Sequence, residues 1–93
     1  MPAYVYVTLD VTNTEKLAAY REKAGDALAK HGGRVLQASS SSTVLEGDRP
    51  APGIAVVLEF DTRDAAENWR ADPDLATVHQ LRMQAGATSI TLL

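Results

Sequence analysis

Lys30-His31-Gly32-Gly33-Arg34 marks the point where a helix must give way to a strand. Paired glycines stop a helix, because glycine adopts backbone conformations that end helices. The residues upstream follow one helical face and the residues downstream alternate, so we expect a helix to end here and a strand to begin. His31 is then left on the inward face of the helix, beside the start of a sheet. That position is suited to a small-molecule pocket.

The helix upstream of this point is predicted to begin near Thr12. Thr12 and Glu15 have the spacing of a capping box. The residues that follow one helical face are Leu17, Tyr20, Ala24, Leu28 and His31. Gly25 weakens the helix by about 1 kcal/mol relative to alanine, so a glycine here either indicates close packing against a neighbour or has no structural role.

Four segments are predicted to be strands. Ala3–Val11 alternates, with Val5, Val7, Leu9 and Val11 on one face and Tyr4, Tyr6, Thr8 and Asp10 on the other. Arg34–Leu45 is a long second strand whose serine run, Ser39–Ser42, we interpret as a bulge or a frayed edge. Ile54–Phe60 is nearly all apolar, which suits a central strand covered on both faces. Ala87–Leu93 closes the chain as the last strand.

A second helical region lies between the third and fourth strands. Asp61 or Thr62 can cap its first helix. Asp72-Pro73 then breaks that helix and starts another. The order β-α-β-β-α-β predicts an α+β, ferredoxin-like fold, with four antiparallel strands and both helices on one face. No linker divides the chain, so residues 1–93 are expected to form a single domain.

Composition excludes several classes of protein. The absence of cysteine excludes a disulfide scaffold, a thiolate zinc site and a cysteine nucleophile, and it fits the reducing cytoplasm, where we expect the protein. The net charge of −3 favours no nucleic-acid partner. No signal peptide or membrane span is found, so we expect a soluble chain with no membrane partner. The two histidines lie far apart without a metal-ligand spacing, so no metal site is predicted.

The sheet face opposite the helices predicts self-association. It is expected to carry a mixed polar and aromatic set, namely Tyr4, Tyr6, Thr8, Glu59, Ser89 and Thr91. Such a set suits neither free solvent nor a dry core. A chain this short also buries only about two-thirds of its unfolded surface. We therefore expect a homodimer whose sheets pack face to face and enclose a cavity for a small organic ligand.

Two histidines are the candidates for proton transfer, because imidazole titrates near neutral pH. His31 is either a base in the pocket or a helix-end residue that interacts with the last carbonyls. His79 with Trp69 is either a haem ligand or proton donor beside an aromatic wall, or a half-exposed histidine beside a core tryptophan. The residues expected to contact a substrate are Tyr4, Tyr6, Thr8, Glu59, Trp69 and Arg82. If the sheet face forms the dimer core, Tyr4, Tyr6 and Glu59 are instead interface groups.

Short motifs over essentially the whole chain resemble the DUF1330 family. They are Pro2-Ala3-Tyr4-Val5, Tyr20-Arg21, Lys30-His31-Gly32-Gly33-Arg34, Leu45-Glu46-Gly47-Asp48, Leu58-Glu59-Phe60, Ala65-Ala66, Trp69 and Leu81-Arg82. That family belongs to the dimeric α/β-barrel superfamily, so the resemblance implies a homodimer with a pocket between each sheet and its partner. The family is mostly uncharacterised, and the resemblance therefore implies no particular function.

The chain departs from the family pattern near the expected pocket. Residues 38–40 replace an arginine and a glycine pair, no tryptophan follows Asp48, and Arg70 stands where a tyrosine is usual. These departures imply a substrate that differs from that of the typical member.

The spacing of Trp69 and His79 is similar to that in antibiotic-biosynthesis monooxygenases and haem-degrading oxygenases of the same superfamily. The haem-degrading type also needs an asparagine on the first strand, where this chain has Thr8. The resemblance implies a cofactor-independent enzyme that oxygenates, isomerises or cyclises a small organic or aromatic substrate, with His31 or His79 as the proton-transfer residue. A non-catalytic binding or accessory protein is the second hypothesis, and haem binding or degradation is the third.

Overall fold

The computed structural model describes residues 1–93 and has the predicted β-α-β-β-α-β order. The strands are β1 (Ala3–Val11), β2 (Arg34–Ser39), β3 (Ile54–Phe60) and β4 (Gly86–Leu92). The helices are α1 (Thr14–Lys30), α2 (Arg63–Ala71) and α3 (Ala76–Ala85), with a 3₁₀ turn at Pro73–Leu75 between the last two. The strands form one antiparallel sheet in the order β2-β3-β1-β4, which is the ferredoxin-like fold.

The predicted alternation of β1 is confirmed. Val5 and Val7 are buried on the face that the helices cover, whereas Tyr6 on the other face is exposed. Tyr6 lies opposite Val57 of β3 and Thr91 of β4, so these residues share the uncovered face. The central position of β3 is also confirmed, since β3 pairs with both β1 and β2. The predicted cover on both faces is not found within the chain, because Val57 of β3 lies beside Tyr6 on the uncovered face.

The hydrophobic core lies between the sheet and the helices. Its buried members are Val5, Val7, Ala27, Leu28, Leu58, Phe60, Ala66, Trp69, Leu75 and Val78. The rings of Phe60 and Trp69 pack with their centres 5.5 Å apart. None of the helices combines the length and the apolar composition that a membrane-spanning helix requires.

The second strand is shorter than predicted. β2 ends at Ser39 instead of continuing to Leu45, and residues 40–53 form bends and irregular chain. The Ser39 hydroxyl accepts a hydrogen bond of 3.1 Å from the N–H of Ser41, and such local bonds compete with strand pairing. The register shift in β2 lies between Val35 and Gln37 and not in the serine run. Because β2 is an edge strand that ends at Ser39, the interpretation of the serine run as a frayed edge fits the structure and the interpretation as a bulge does not.

The helix caps differ by one residue from the predicted capping box. Asn13, not Thr12, is the N-cap of α1, and its side chain accepts a hydrogen bond of 3.0 Å from a main-chain N–H in the first turn. Asparagine is at least as favourable as threonine at this position. Of the two predicted caps of α2, Thr62 caps the helix, and its hydroxyl accepts a bond of 3.0 Å.

Close backbone packing occurs at other glycines than the one predicted. A Cβ at Gly25 would meet no atom within 4 Å, so the suggestion of tight packing there is wrong. A Cβ at Gly33 would lie 2.5 Å from Cδ1 of Leu28, and one at Gly86 would lie 1.8 Å from the carbonyl oxygen of Asp10. Gly33 thus allows the chain to pass close to α1 as β2 begins. The prediction that the paired glycines end the helix before a strand is confirmed, because α1 ends at Lys30 and β2 begins at Arg34.

Candidate functional site

A cavity of about 270 Å³ lies between α1 and the sheet. Twelve of the sixteen residues that line it are hydrophobic, and Leu17, Tyr20, Ala24 and Leu28 come from the predicted inward face of α1. Trp69 of α2 and Arg82 of α3 also contribute. The volume is close to the lower end of the range for small-molecule sites. This cavity lies within one chain on the helix-covered side of the sheet, whereas the resemblance implied a pocket between two sheets.

Arg82 and His79 form a buried pair beside the cavity, and the side chain of each residue is only 2 % exposed. Arg82 donates a hydrogen bond from Nη1 to Nδ1 of His79, over 2.8 Å. The other ring nitrogen of His79, Nε2, lies 3.1 Å from the carbonyl oxygen of Trp69. Since guanidinium has no acceptor, Nδ1 must accept and Nε2 must carry the proton. Burial lowers the pKa of His79, and the charge of Arg82 also lowers it, so the imidazole is neutral at neutral pH.

Trp69 belongs both to the core and to the cavity wall. Its side chain is 4 % exposed, and its ring meets that of His79 edge to face with the centres 5.0 Å apart. The interpretation of Trp69 as a core residue is therefore confirmed. The interpretation of His79 as half exposed is wrong, because α3 packs this ring inward against Trp69.

The charge of Arg82 has no carboxylate partner. The ion pairs of the chain involve Lys30, His31 and Arg34 as cations, and none includes Arg82. The guanidinium carbon lies 5.7 Å from the centre of the Tyr20 ring, which is the distance of a cation–π contact. Nε of Arg82 is buried without a hydrogen-bond partner.

His31 lies at the C-terminal end of α1 and is absent from the cavity lining. Its Nε2 is 2.8 Å from Oδ2 of Asp72, and Nζ of Lys30 is 2.7 Å from the same oxygen. Hydrogen bonds from Lys30 first, and from His31 next, hold the pKa of Asp72 well below its usual range. Asp72 also accepts a bond of 2.9 Å from the N–H of Asp74 at the start of the 3₁₀ turn. His31 therefore joins the end of α1 to the junction of α2 and α3.

The remaining predicted substrate contacts lie on the uncovered sheet face. Glu59 accepts a hydrogen bond of 2.6 Å from Nε of Arg34, and a hydrogen bond with Glu59 raises the pKa of Tyr4. Thr8 lines the cavity in part, but its hydroxyl lies 2.9 Å from that of Ser89 on the uncovered face. Tyr6 is 39 % exposed on the same face.

The predicted set is thus divided between two sides of the sheet. Trp69 and Arg82 come together at the cavity, with His79 behind them, while Tyr4, Tyr6 and Glu59 lie elsewhere. The structure also contains two sets of contacts that the sequence did not predict.

The first set is Tyr20 and Arg21 on α1, which both line the cavity. Helical periodicity placed Tyr20 on the inward face, but its contact with Arg82 depends on how α1 packs against α3. The second is Asp72, which the sequence marked only as a helix break before proline. Its pairing with His31 spans 41 residues and has no local signal.

The donor atoms present do not fit a metal or haem site. No group of three or more histidine, cysteine, aspartate or glutamate side chains could hold a metal ion. Both ring nitrogens of His79 make hydrogen bonds within the chain, so His79 presents no free nitrogen to a haem iron. Nε2 of His31 is paired with Asp72.

Comparison with known proteins supports the fold and the family. Residues 2–93 match the family described as a domain of unknown function, DUF1330. No curated protein matches the sequence. Among solved structures, the RPA0582 protein of unknown function from Rhodopseudomonas palustris has a TM-score of 0.79 at 18 % identity, over 99 % of this chain and 80 % of that one.

Two further solved structures share the fold. A dimeric ferredoxin-like protein of unknown function from Jannaschia sp. CCS1 has a TM-score of 0.67 at 12 % identity, over 100 % of this chain and 98 % of that one. SnoaB, a cofactor-independent oxygenase from Streptomyces nogalater, has a TM-score of 0.62 at 12 % identity, over 99 % of this chain and 89 % of that one. At these identities the similarity demonstrates the ferredoxin-like fold alone.

Proposed function

This chain belongs to the DUF1330 family, a domain of unknown function, and from its cavity we propose that it binds and transforms a small organic molecule. The observation that carries this proposal is the cavity of about 270 Å³, lined mainly by apolar side chains with a few polar groups such as Tyr20 and Arg82. Small-molecule sites have this composition, because apolar walls bury the ligand and a few polar groups orient it.

We propose that the transformation uses no resident cofactor. The support is the fold shared with SnoaB, which is described as a cofactor-independent oxygenase, and this support is an analogy of fold. Isomerisation and cyclisation need proton transfer alone, whereas oxygenation also consumes dioxygen from solution. Substrates of this class are small molecules with an acidic C–H or O–H group.

Of the two predicted proton-transfer residues, His79 is the one connected to the cavity. It contacts Arg82 and Trp69, which both line the cavity, while His31 is paired with Asp72. We therefore propose that His79 contributes to the reaction indirectly, because its hydrogen bond holds Arg82 in place at the cavity. His31 contributes to the junction of the helices.

A second candidate function is binding without catalysis. It is favoured by the observation that neither histidine lines the cavity. In this case the protein would retain or deliver a small molecule and leave it unchanged.

Occupancy of the cavity can be tested with indole as a neutral apolar probe. We expect indole to shift the amide NMR resonances of Leu28 and Val56, which line the cavity. Ala24→Phe should abolish these shifts, because Ala24 also lines the cavity and the larger ring would occupy it. Ala18→Phe is the matched control, since Ala18 lies on the exposed side of α1. Indole shifts that persist in Ala24→Phe would contradict the proposed site.

Catalysis and simple binding can be separated by a conversion assay. The wild-type protein is incubated in air with a panel of phenols and enolisable ketones, and oxygen consumption and product mass are followed. Conversion that falls in His79→Gln while indole binding is retained would support an enzyme. Binding of panel members without conversion would support the second candidate.

We also propose that the protein acts as a homodimer. The related structure from Jannaschia sp. CCS1 is described as dimeric. The uncovered sheet face of this chain carries Tyr6 and Val57, which are suited to an interface.

A further inference from the structure

We propose that the molecule bound in the cavity is a small organic acid whose carboxylate pairs with Arg82, an inference that rests on the function proposed above. A buried charge is costly unless a charge of opposite sign lies beside it. Arg82 is 2 % exposed, and no carboxylate of the chain forms an ion pair with it. Its natural counter-ion is therefore supplied from outside the chain.

The charges around the cavity favour the same ligand. The lining contains two arginines, Arg21 and Arg82, and no aspartate or glutamate. Asp72 follows the helix that carries Trp69, but its carboxylate is occupied by Lys30 and His31. The charged side chains of the lining are therefore both positive.

The hydrogen bonds of Arg82 leave one edge of the guanidinium free. Nη1 donates to neutral His79, and the Tyr20 ring lies 5.7 Å from the guanidinium carbon. Nε has no acceptor in the chain. Nε and Nη2 form a parallel pair of donors, which matches the two oxygens of a carboxylate.

The rest of the lining defines the body of the ligand. Twelve of the sixteen lining residues are hydrophobic, and the volume is about 270 Å³. A cavity of this size accepts one aromatic ring or a short aliphatic chain beside the acid group. The ligand class is therefore a small aromatic or aliphatic monocarboxylate, with its acid group at Arg82 and its apolar part against Leu17, Ala24 and Val56.

The inference is tested with carboxylates and their neutral amides. The pairs are benzoate and benzamide, phenylacetate and phenylacetamide, and hexanoate and hexanamide, each titrated into the protein and followed by NMR. We expect at least one carboxylate to bind about tenfold or more tightly than its amide, which corresponds to about 1.4 kcal/mol. The Nε–H resonance of Arg82 should shift with the carboxylate and remain unchanged with the amide.

Two variants separate the charge of Arg82 from the shape of the cavity. Arg82→Met keeps an apolar chain of similar length, and it should remove the preference for the carboxylate while the amide binds as before. Arg49→Met is the matched control, because it removes an exposed arginine outside the cavity lining and should leave the preference intact. The carboxylate and amide comparison in the wild-type protein remains decisive if Arg82→Met fails to fold.

The outcomes distinguish this inference from the function on which it rests. Equal binding of each carboxylate and its amide would overturn the inference and leave a cavity for neutral molecules. A carboxylate preference that survives in Arg82→Met would also overturn it. If indole binds and no carboxylate does, the anion assignment fails alone. If neither indole nor any compound of the panel binds, both proposals fail.

Discussion

Single side chains connect distant parts of this chain, and Asp72 is the clearest case. Its carboxylate accepts bonds from Lys30 and His31 at the end of α1 and from the main chain of the 3₁₀ turn. One acid therefore joins the end of α1 to the junction of α2 and the 3₁₀ turn, and its bond with His31 spans 41 residues of sequence. These bonds stabilise the ionised carboxylate and therefore lower the pKa of Asp72.

Asp72→Asn is expected to lower the melting temperature at neutral pH. Because the carboxyl pKa is lowered on folding, its stabilising contribution is complete above the ordinary aspartate value of about 3.9 and is lost as pH falls below it. The difference between wild type and variant should therefore shrink below about pH 4. Thermal unfolding over a pH series measures it. Asp48→Asn, in the exposed loop, is the control and should show no such trend.

His31→Gln is expected to lower stability by about 0.3–1 kcal/mol, as for other helix-end histidines. Its bond with Asp72 lies outside the cavity, so indole should still bind. Thermal unfolding and NMR titration of the variant check the two parts. Loss of indole binding at unchanged melting temperature would instead support His31 as a pocket residue.

Among the helices and strands, the space around a glycine shows how closely its element packs against a neighbour. Gly86 begins β4 directly against the backbone of Asp10 in β1, whereas Gly25 lies on α1 with open space where a side chain would project. The same substitution should therefore have opposite effects at these positions.

Gly25→Ala is expected to stabilise the protein by about 0.5–1 kcal/mol, because alanine favours the helix and meets no neighbour. Gly86→Ala should destabilise it by about 1–3 kcal/mol or prevent folding, because the new methyl group would overlap the carbonyl of Asp10. Denaturant unfolding of both variants gives the comparison. A Gly25→Ala variant less stable than wild type would show that a neighbour packs closely against α1 at this position.

Over the complete fold, one face of the sheet remains without cover. The helices pack on the side of Val5 and Val7, and the opposite side exposes Tyr6 and presents Val57 and Thr91 around it. A second copy of this chain would cover this face and leave the cavity under α1 in each subunit.

We expect light scattering to give twice the 10.0 kDa mass of the chain. Val57→Glu should produce monomers, because it places a charge at the centre of the uncovered face beside Tyr6. Thr77→Glu, on the exposed side of α3, should remain dimeric. A wild-type monomer at micromolar concentration would refute the dimer.

Much of the architecture was predictable because it depends on local patterns. The alternation of Ala3–Val11 identified β1 and its buried face, and the helical spacing from Leu17 to Leu28 identified the inward face of α1. The paired glycines after His31 marked the change from helix to strand. Signals of this kind depend on residues a few positions apart, so they can be identified from a single sequence.

The arrangement of the site depends on contacts between distant segments. Packing of α3 against Trp69 buried His79 and paired it with Arg82, and the meeting of α1 with the α2–α3 junction removed His31 from the cavity. The length of β2 also depends on a contact between distant segments. The strand is shorter than predicted because its pairing with β3 ends at Ser39. Periodicity specifies which side of an element faces inward, whereas the partner that meets that side is specified by packing and charge across the folded chain.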